Sequence, residues 1–193
     1  AAGEDLVEND HAEAEARGRL RRTLVYGVSA AALEVFNMRL AVGQFLPGEG
    51  ADEARSFVVL GPKLKHEIFG ADNALGERLR IGGQSFRVIG VLVPKGQFLG
   101  LDLDDTAFVP SARAMELFNR DGLTEINLAY AGGVAARSVA AAAEAVLKAR
   151  HGRADFTVTT QEEMLSTLSN ILDILTMAVA ALGSISLLVG SVG

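Results

Sequence analysis

The stretch RLRIGGQSFRVIGVLV, residues 78–93, decides the fold because it has the pattern of two strands joined by a tight turn. Gly82 and Gly83 separate residues 78–81 from residues 85–93, and both segments are rich in β-branched and apolar side chains. Glycine accepts positive φ at both central positions of a two-residue turn. The sequence therefore predicts a β-hairpin in the middle of the chain.

Segments on either side of the hairpin alternate between strand and helix patterns. Upstream, Pro62 opens a short helix that Gly70 ends, and Pro110 precedes a second helix downstream. Short apolar or β-branched runs predict strands, and an alanine-rich run at 136–150 predicts a third helix. The predicted strands are residues 24–28, 40–45, 57–60, 107–109, 125–131 and 156–159. This order of elements indicates a mixed α+β fold.

The first 23 residues carry six carboxylates up to Glu15 and show no period of large apolar side chains. Such acidic segments bury little apolar surface, which disfavours a packed structure. We therefore expect an acidic lead-in over residues 1–23 that is loose, partly helical or disordered.

The C-terminal segment predicts a helix that continues from a polar stalk into a membrane. In residues 161–173, apolar side chains recur at helical spacing and form a stripe along one side of the predicted helix, whereas residues 174–193 contain no charge. Twenty helical residues extend about 30 Å, the thickness of the hydrocarbon core of a bilayer. The stalk stripe consists of Leu165, Leu168, Ile171, Leu172 and Leu175. A buried soluble helix is the alternative, but helices of that kind usually contain a charge within this length.

Small residues recur on one side of the predicted membrane helix at spacings of three or four. Small side chains let a second membrane helix approach closely, so this side is a predicted packing surface. No Lys or Arg follows the apolar run, and we expect the helix to be truncated at its end. The packing residues are Thr176, Ala180, Gly183, Ser186, Gly190 and Gly193.

Composition excludes some classes of function. The net charge of −6 and the scattered Lys and Arg residues give no electrostatic basis for nucleic-acid binding. The absence of cysteine excludes disulfides, thiolate metal sites and a cysteine nucleophile.

One short motif suggests chemistry. Asp102, Asp104 and Thr106 match the DxDxT pattern of haloacid-dehalogenase-like phosphatases, in which the first carboxylate attacks phosphorus. That reaction also needs Mg²⁺, a downstream acidic pair and a lysine, and only Lys148 follows the motif. A solvated acidic loop before a strand explains the motif better, so we predict no catalytic, cofactor or metal site in this chain.

Several runs together resemble the periplasmic core domain of MacB-like ABC-transporter permeases, within the FtsX-like permease group. The similarity covers roughly residues 24–193 in the family's order and is more specific than any single motif. The runs are residues 25–29, 40–45, 59–62, 68–70, 79–83, 86–91 and 108–110.

This resemblance implies a domain with two lobes. A split βαβ porter-like lobe would comprise residues 24–50 and 123–160, and an inserted β-rich lobe residues 51–122. A stalk helix over residues 161–173 and the transmembrane helix over residues 174–193 would follow. Residues 1–173 would then lie in the periplasm or outside the cell, and the helix in the bacterial inner membrane.

The resemblance also implies function and partners. ATP bound by a partner ATPase subunit or domain would drive closure of a permease dimer, formed with an identical or a related second permease. The movement would export or release a peptide, lipoprotein, antibiotic or other amphiphile. A periplasmic adaptor and an outer-membrane channel are further candidate partners. A non-transporting scaffold that activates a periplasmic enzyme is an alternative function.

Overall fold

A computed structural model describes residues 3–48, 55–98, 101–130, 132–152 and 157–192. Its internal contacts divide the chain into two compact units, Ala1–Tyr130 and Ala131–Gly193. Among these described residues, the first unit contains the sheet and three short α-helices, and the second contains two helices. The α+β class that the sequence predicts is confirmed.

The first unit contains ten strands among its described residues, together with α-helices α1, α2 and α3 and one short 3₁₀ turn. The helices are α1 (Ala32–Val35), α2 (Pro62–Phe69) and α3 (Ser111–Phe118), and the 3₁₀ turn is Leu103–Asp105. The strands are β1 (Gly3–Ala16), β2 (Arg19–Val28), β3 (Leu40–Gly43), β4 (Phe57–Leu60), β5 (Arg78–Ile81), β6 (Gln84–Leu92), β7 (Gln97–Phe98), β8 (Leu101–Asp102), β9 (Thr106–Pro110) and β10 (Glu125–Ala129).

Eight of these strands form one mixed sheet, and β7 pairs with β8 alone. The order across the sheet is β10-β1-β2-β9-β4-β6-β3, and β5 bridges β1 and β6. Two neighbouring pairs are parallel, β2 with β9 and β4 with β6. β4 also pairs with β9, antiparallel, so the middle of β2, the end of β4 and the start of β9 lie beside the acidic turn that precedes β9.

Both faces of the sheet bury apolar side chains. On one face, Leu64 and Ile68 of α2 and Ala114 of α3 pack against strand residues such as Phe86. On the other face, Tyr26 and Phe108 pack near α1. The central strands β4 and β9 are buried almost throughout, which is why their sequences are continuous apolar runs.

The predicted hairpin is confirmed. Ile81 pairs with Gln84, so Gly82 and Gly83 alone form the turn between β5 and β6. Their φ angles are +54° and +86°, which is the conformation that selects glycine at both positions.

The expectation for residues 1–23 is wrong over the described residues. Residues 3–16 form β1 and residues 19–28 form β2, and the two strands pair antiparallel. The sequence signal for a strand is the alternation of alanine with charged residues, which gives a period of two. Ala14 and Ala16 are buried, whereas Glu13 and Glu15 are exposed. A search for large apolar side chains overlooks this alternation.

The predicted boundary between residues 24–50 and 51–122 also needs correction. β2 pairs with β9 and β3 pairs with β6, so strands from both segments share one sheet. Pairing between strands far apart in sequence, rather than chain order, determines which residues form one unit. The compact first unit accordingly runs to Tyr130.

The second unit contains α4 (Ala136–His151) and α5 (Gln161–Val192). Gly152, with φ of +73°, ends α4 in the left-handed conformation expected of a C-cap. The strand predicted at residues 156–159 is absent from 157–159, which have no regular structure, and Phe156 lies outside the described residues. α5 is one uninterrupted helix of 32 residues, so the predicted continuity from stalk to apolar segment is confirmed.

Candidate functional site

The acidic motif 102–106 forms a closed turn between β8 and β9. The Asp102 carboxylate accepts a hydrogen bond from the Asp104 backbone N–H at 3.2 Å. The Thr106 hydroxyl donates to the Asp102 carbonyl oxygen at 2.8 Å, and Asp104 accepts from the Lys95 backbone N–H at 2.8 Å. Each polar side chain of the DxDxT pattern therefore has a local hydrogen bond that shapes the turn.

Basic side chains from two other elements neutralise this turn. Arg21 of β2 binds Asp105 through two hydrogen bonds, at 2.8 Å from Nε and 2.5 Å from Nη2. Lys63 of α2 lies 2.9 Å from a carboxylate oxygen of Asp102 and 3.3 Å from one of Asp105. The motif thus ties α2 and β2 to the start of β9, a structural role that explains its charges.

Two opposing effects determine the pKa of Asp105. Burial raises this pKa, but the hydrogen bonds and positive charges of Arg21 and then Lys63 lower it by more, so it lies below its ordinary value. A carboxylate with a depressed pKa stabilises the fold above its unfolded-state pKa and loses that contribution as the pH falls through its folded value.

Replacing Asp105 should therefore destabilise the first unit in a pH-dependent way. We expect Asp105→Asn to lower the free energy of unfolding by about 1–3 kcal/mol at neutral pH, because Arg21 loses a partly buried partner. The gap to the wild type should begin to narrow below about pH 4, the ordinary pKa of the unfolded-state carboxyl, and should close as the pH falls through the lower folded-state pKa. Denaturant unfolding across this pH range measures both effects.

Asp121→Asn is the matched control, because Asp121 is exposed and outside this network. It should change the free energy of unfolding by less than about 0.5 kcal/mol. Equal losses in the two variants, or a gap for Asp105→Asn that stays constant in acid, would contradict the role assigned to Asp105.

Gly61 is a residue of this region that the sequence interpretation did not single out. Its backbone N–H donates to the Thr106 carbonyl oxygen at 2.8 Å. A Cβ at this position would lie 2.5 Å from the Leu103 carbonyl oxygen and closer still to that of Asp104. Only glycine therefore lets α2 start directly against the acidic turn. The sequence showed a glycine in the run 59–62, but the residues that it packs against lie more than 40 positions further along the chain and could not be inferred.

The predicted stalk and packing residues fall in α5, except for Gly193. The stripe residues are all exposed, with exposed fractions of 49–63%: Leu165, Leu168, Ile171, Leu172 and Leu175. Thr176 and Ala180 are exposed as well, and the Thr176 hydroxyl donates to the Leu172 carbonyl oxygen at 2.8 Å. Gly183, Ser186 and Gly190 fall within the helix, and Gly193 lies outside the described residues.

Among the described residues, α5 is the one helix long and apolar enough to cross a membrane. Its most apolar described window is Leu165–Leu182, with a mean hydropathy of 1.6 and no part buried. Exposed leucine, isoleucine and valine over such a length are costly in water and suit a lipid environment.

A mixed α+β unit followed in the chain by one long, exposed apolar helix has the features of an extramembrane domain attached to a membrane helix. The chain belongs to the family of MacB-like periplasmic core domains, whose family model matches residues 4–146. The resemblance inferred from the sequence is therefore confirmed.

Two curated relatives illustrate this membership. The chain is 31% identical over 153 residues to the macrolide export ATP-binding/permease protein MacB of Marinobacter nauticus, covering 78% of this chain and 24% of the relative. It is 30% identical over 163 residues to the pyoverdine export ATP-binding/permease protein PvdT of Pseudomonas entomophila, covering 82% and 25%. The chain thus spans about a quarter of the length of these relatives.

A solved structure supports the fold independently. The periplasmic region of MacB from Actinobacillus actinomycetemcomitans superposes with a TM-score of 0.73 at 20% identity, covering 86% of this chain and 75% of the other. At this identity the likeness establishes the fold alone.

Proposed function

We propose that this chain is the periplasmic part of an ABC-transporter permease that transmits ATP-driven movement to export or release an amphiphile. The parent protein would reside in the bacterial inner membrane and work as a dimer with an ATPase subunit or a fused ATPase domain. The ATP-binding/permease names of the relatives support this assignment.

The continuity of α5 is the observation that carries the mechanical part of the proposal. At 1.5 Å per residue, its 32 residues extend about 48 Å without a break. Part of this length suffices to cross the hydrocarbon core, and the rest carries the polar residues of the stalk. A continuous helix resists bending, so a displacement at one end is carried to the other.

In this proposal the acidic turn does no covalent chemistry. We expect Asp102→Asn to leave transport by the parent protein within about twofold of wild type, because its ion pair with Lys63 is exposed and contributes little. Asparagine keeps an oxygen that can accept the Asp104 N–H. A complementation assay with the parent transporter measures the effect, and loss of function in a folded Asp102→Asn protein would revive the phosphatase hypothesis.

Affinity purification of the full-length parent protein from native membranes tests the proposal as a whole. Mild detergent should preserve its complexes, and mass spectrometry identifies what copurifies. We expect an ABC ATPase, either as a separate subunit or as a domain of the same polypeptide. Recovery of the protein from the soluble fraction, or from membranes without any ATPase, would contradict the proposal.

A further inference from the structure

Two arginines face each other across the β5–β6 hairpin. Arg78 and Arg87 are register partners in this antiparallel pair, and both are exposed. Side chains directly opposite each other have Cβ atoms about 5 Å apart. Arg80 lies two residues along β5 on the same side of the sheet and is exposed too. The hairpin register thus gathers charges that look scattered in the sequence.

These positive charges lack carboxylate partners among the residues that the structure describes. No ion pair involves Arg78, Arg80 or Arg87 there, and the adjacent Glu77 is engaged by Arg17 at 3.0 Å. Glu15 is the register partner of Arg80 on β1 without forming an ion pair with it. Like charges placed opposite each other destabilise a strand pair. Arg80 donates a hydrogen bond to the Gly83 carbonyl oxygen at 3.5 Å and has Glu15 opposite it, so the repulsion centres on Arg78 and Arg87, where a bound anion would relieve it.

The neighbouring strand adds an aromatic flank to the same side of the sheet. Phe57 of β4 is the register partner of Arg87, and the Arg55 guanidinium lies 6.0 Å from the centre of the Phe57 ring. The surface therefore combines guanidinium groups with a partly buried ring, which reduces competition from water at one edge.

We propose that Arg78, Arg80 and Arg87 form a binding site for a phosphate group. The guanidinium fork matches phosphate geometry with two parallel hydrogen bonds, and a phosphate monoester carries close to two negative charges at neutral pH. The phosphate belongs to a soluble ligand or to a phospholipid headgroup, and the proposal does not depend on the transport function.

NMR of the full chain in maltoside micelles, which contain no phosphate, distinguishes these sources. In the first arm, inorganic phosphate is titrated while the side-chain Nε–H signals of Arg78 and Arg87 are followed. In the second arm, the chain is placed in phosphatidylglycerol nanodiscs without added phosphate. Saturable shifts in the first arm identify a soluble phosphate ligand, and shifts in the second arm alone identify a headgroup.

Variants test whether the hairpin arginines are responsible. The double variant Arg78→Gln, Arg87→Gln should weaken phosphate binding about tenfold or more, read from the backbone amide signals of β5 and β6. Its melting temperature without phosphate should equal or exceed that of wild type, because the repulsion is removed. Arg39→Gln, at an exposed arginine elsewhere, should bind as wild type does.

Arg87→Gln alone serves if the double variant does not fold, with a smaller loss of affinity expected. Unchanged arginine signals in both arms would overturn the proposal. An equal loss of binding in Arg39→Gln would also overturn it, because the effect would then reflect net charge and not this site.

Discussion

Two glycines inserted between Leu168 and Ser169 should reduce transport by the parent protein to background while its ATP hydrolysis continues. Each glycine costs about 1 kcal/mol of helix stability, and together they rotate the two parts of α5 by about 200°. The first effect weakens a helix that is continuous from Gln161 to Val192, and the second changes the orientation of one part relative to the other. Transport and ATPase assays on reconstituted protein measure the two activities separately.

Two matched insertions identify the cause. A glycine pair between Gly132 and Gly133, in an exposed turn before α4, should leave transport close to wild type. Two alanines inserted at the Leu168 site keep the helix rigid but rotate its two parts relative to each other. They therefore distinguish the effect of lost rigidity from the effect of the rotation. Normal transport with the glycine pair in α5 would contradict a rigid mechanical link.

Gly61→Ala should destabilise the first unit by about 2–4 kcal/mol. The new Cβ would overlap the carbonyl oxygens of Leu103 and Asp104, both backbone atoms that cannot rotate away. Relief requires α2 to move from the acidic turn, which breaks the Gly61 hydrogen bond to Thr106 and disturbs the ion pairs of Lys63. Urea unfolding monitored by circular dichroism measures the loss.

Gly122→Ala provides the control, because a Cβ there has no heavy atom within 4 Å. It should change the free energy of unfolding by less than about 0.5 kcal/mol, or stabilise slightly through the unfolded state. If Gly61→Ala were as stable as Gly122→Ala, the close approach of α2 to the turn would not matter to the fold.

Local elements could be predicted where a strong local signal exists. The glycine pair at 82 and 83 determined the hairpin, and Pro62 and Gly70 bounded α2 because both residues restrict backbone conformation. The uncharged C-terminal run similarly predicted a helix from its composition alone. These signals need no knowledge of which strands become neighbours.

Features that depend on pairing across the sheet were not predictable in the same way. The N-terminal strands were missed because Ala14 and Ala16 bury small side chains, which contribute little to a hydrophobic period. The shared sheet was missed because the parallel contact of β2 with β9 joins residues about 80 positions apart.

At the candidate site, too, local features could be predicted from the sequence, whereas contacts between distant residues could not. The sequence interpretation favoured a solvated acidic loop over a phosphatase, but it did not predict that Arg21 and Lys63 bind the carboxylates of this loop. Arg78 and Arg87 were considered scattered, although a two-residue hairpin already implies that they are opposite each other. Counting outward from the predicted turn at Gly82 and Gly83 would have placed Arg78 opposite Arg87.

The central claim is that α5 moves as one rigid helix during the ATP cycle. The chain contains no cysteine, so spin labels can be attached at cysteines introduced for Leu165 and Val179, both exposed on α5. Fourteen helical residues place the label sites about 21 Å apart along the axis. Pulsed electron spin resonance on the parent protein should give the same narrow distance with and without ATP. A distance that shortens or broadens when ATP binds would show that α5 bends, and would contradict the account.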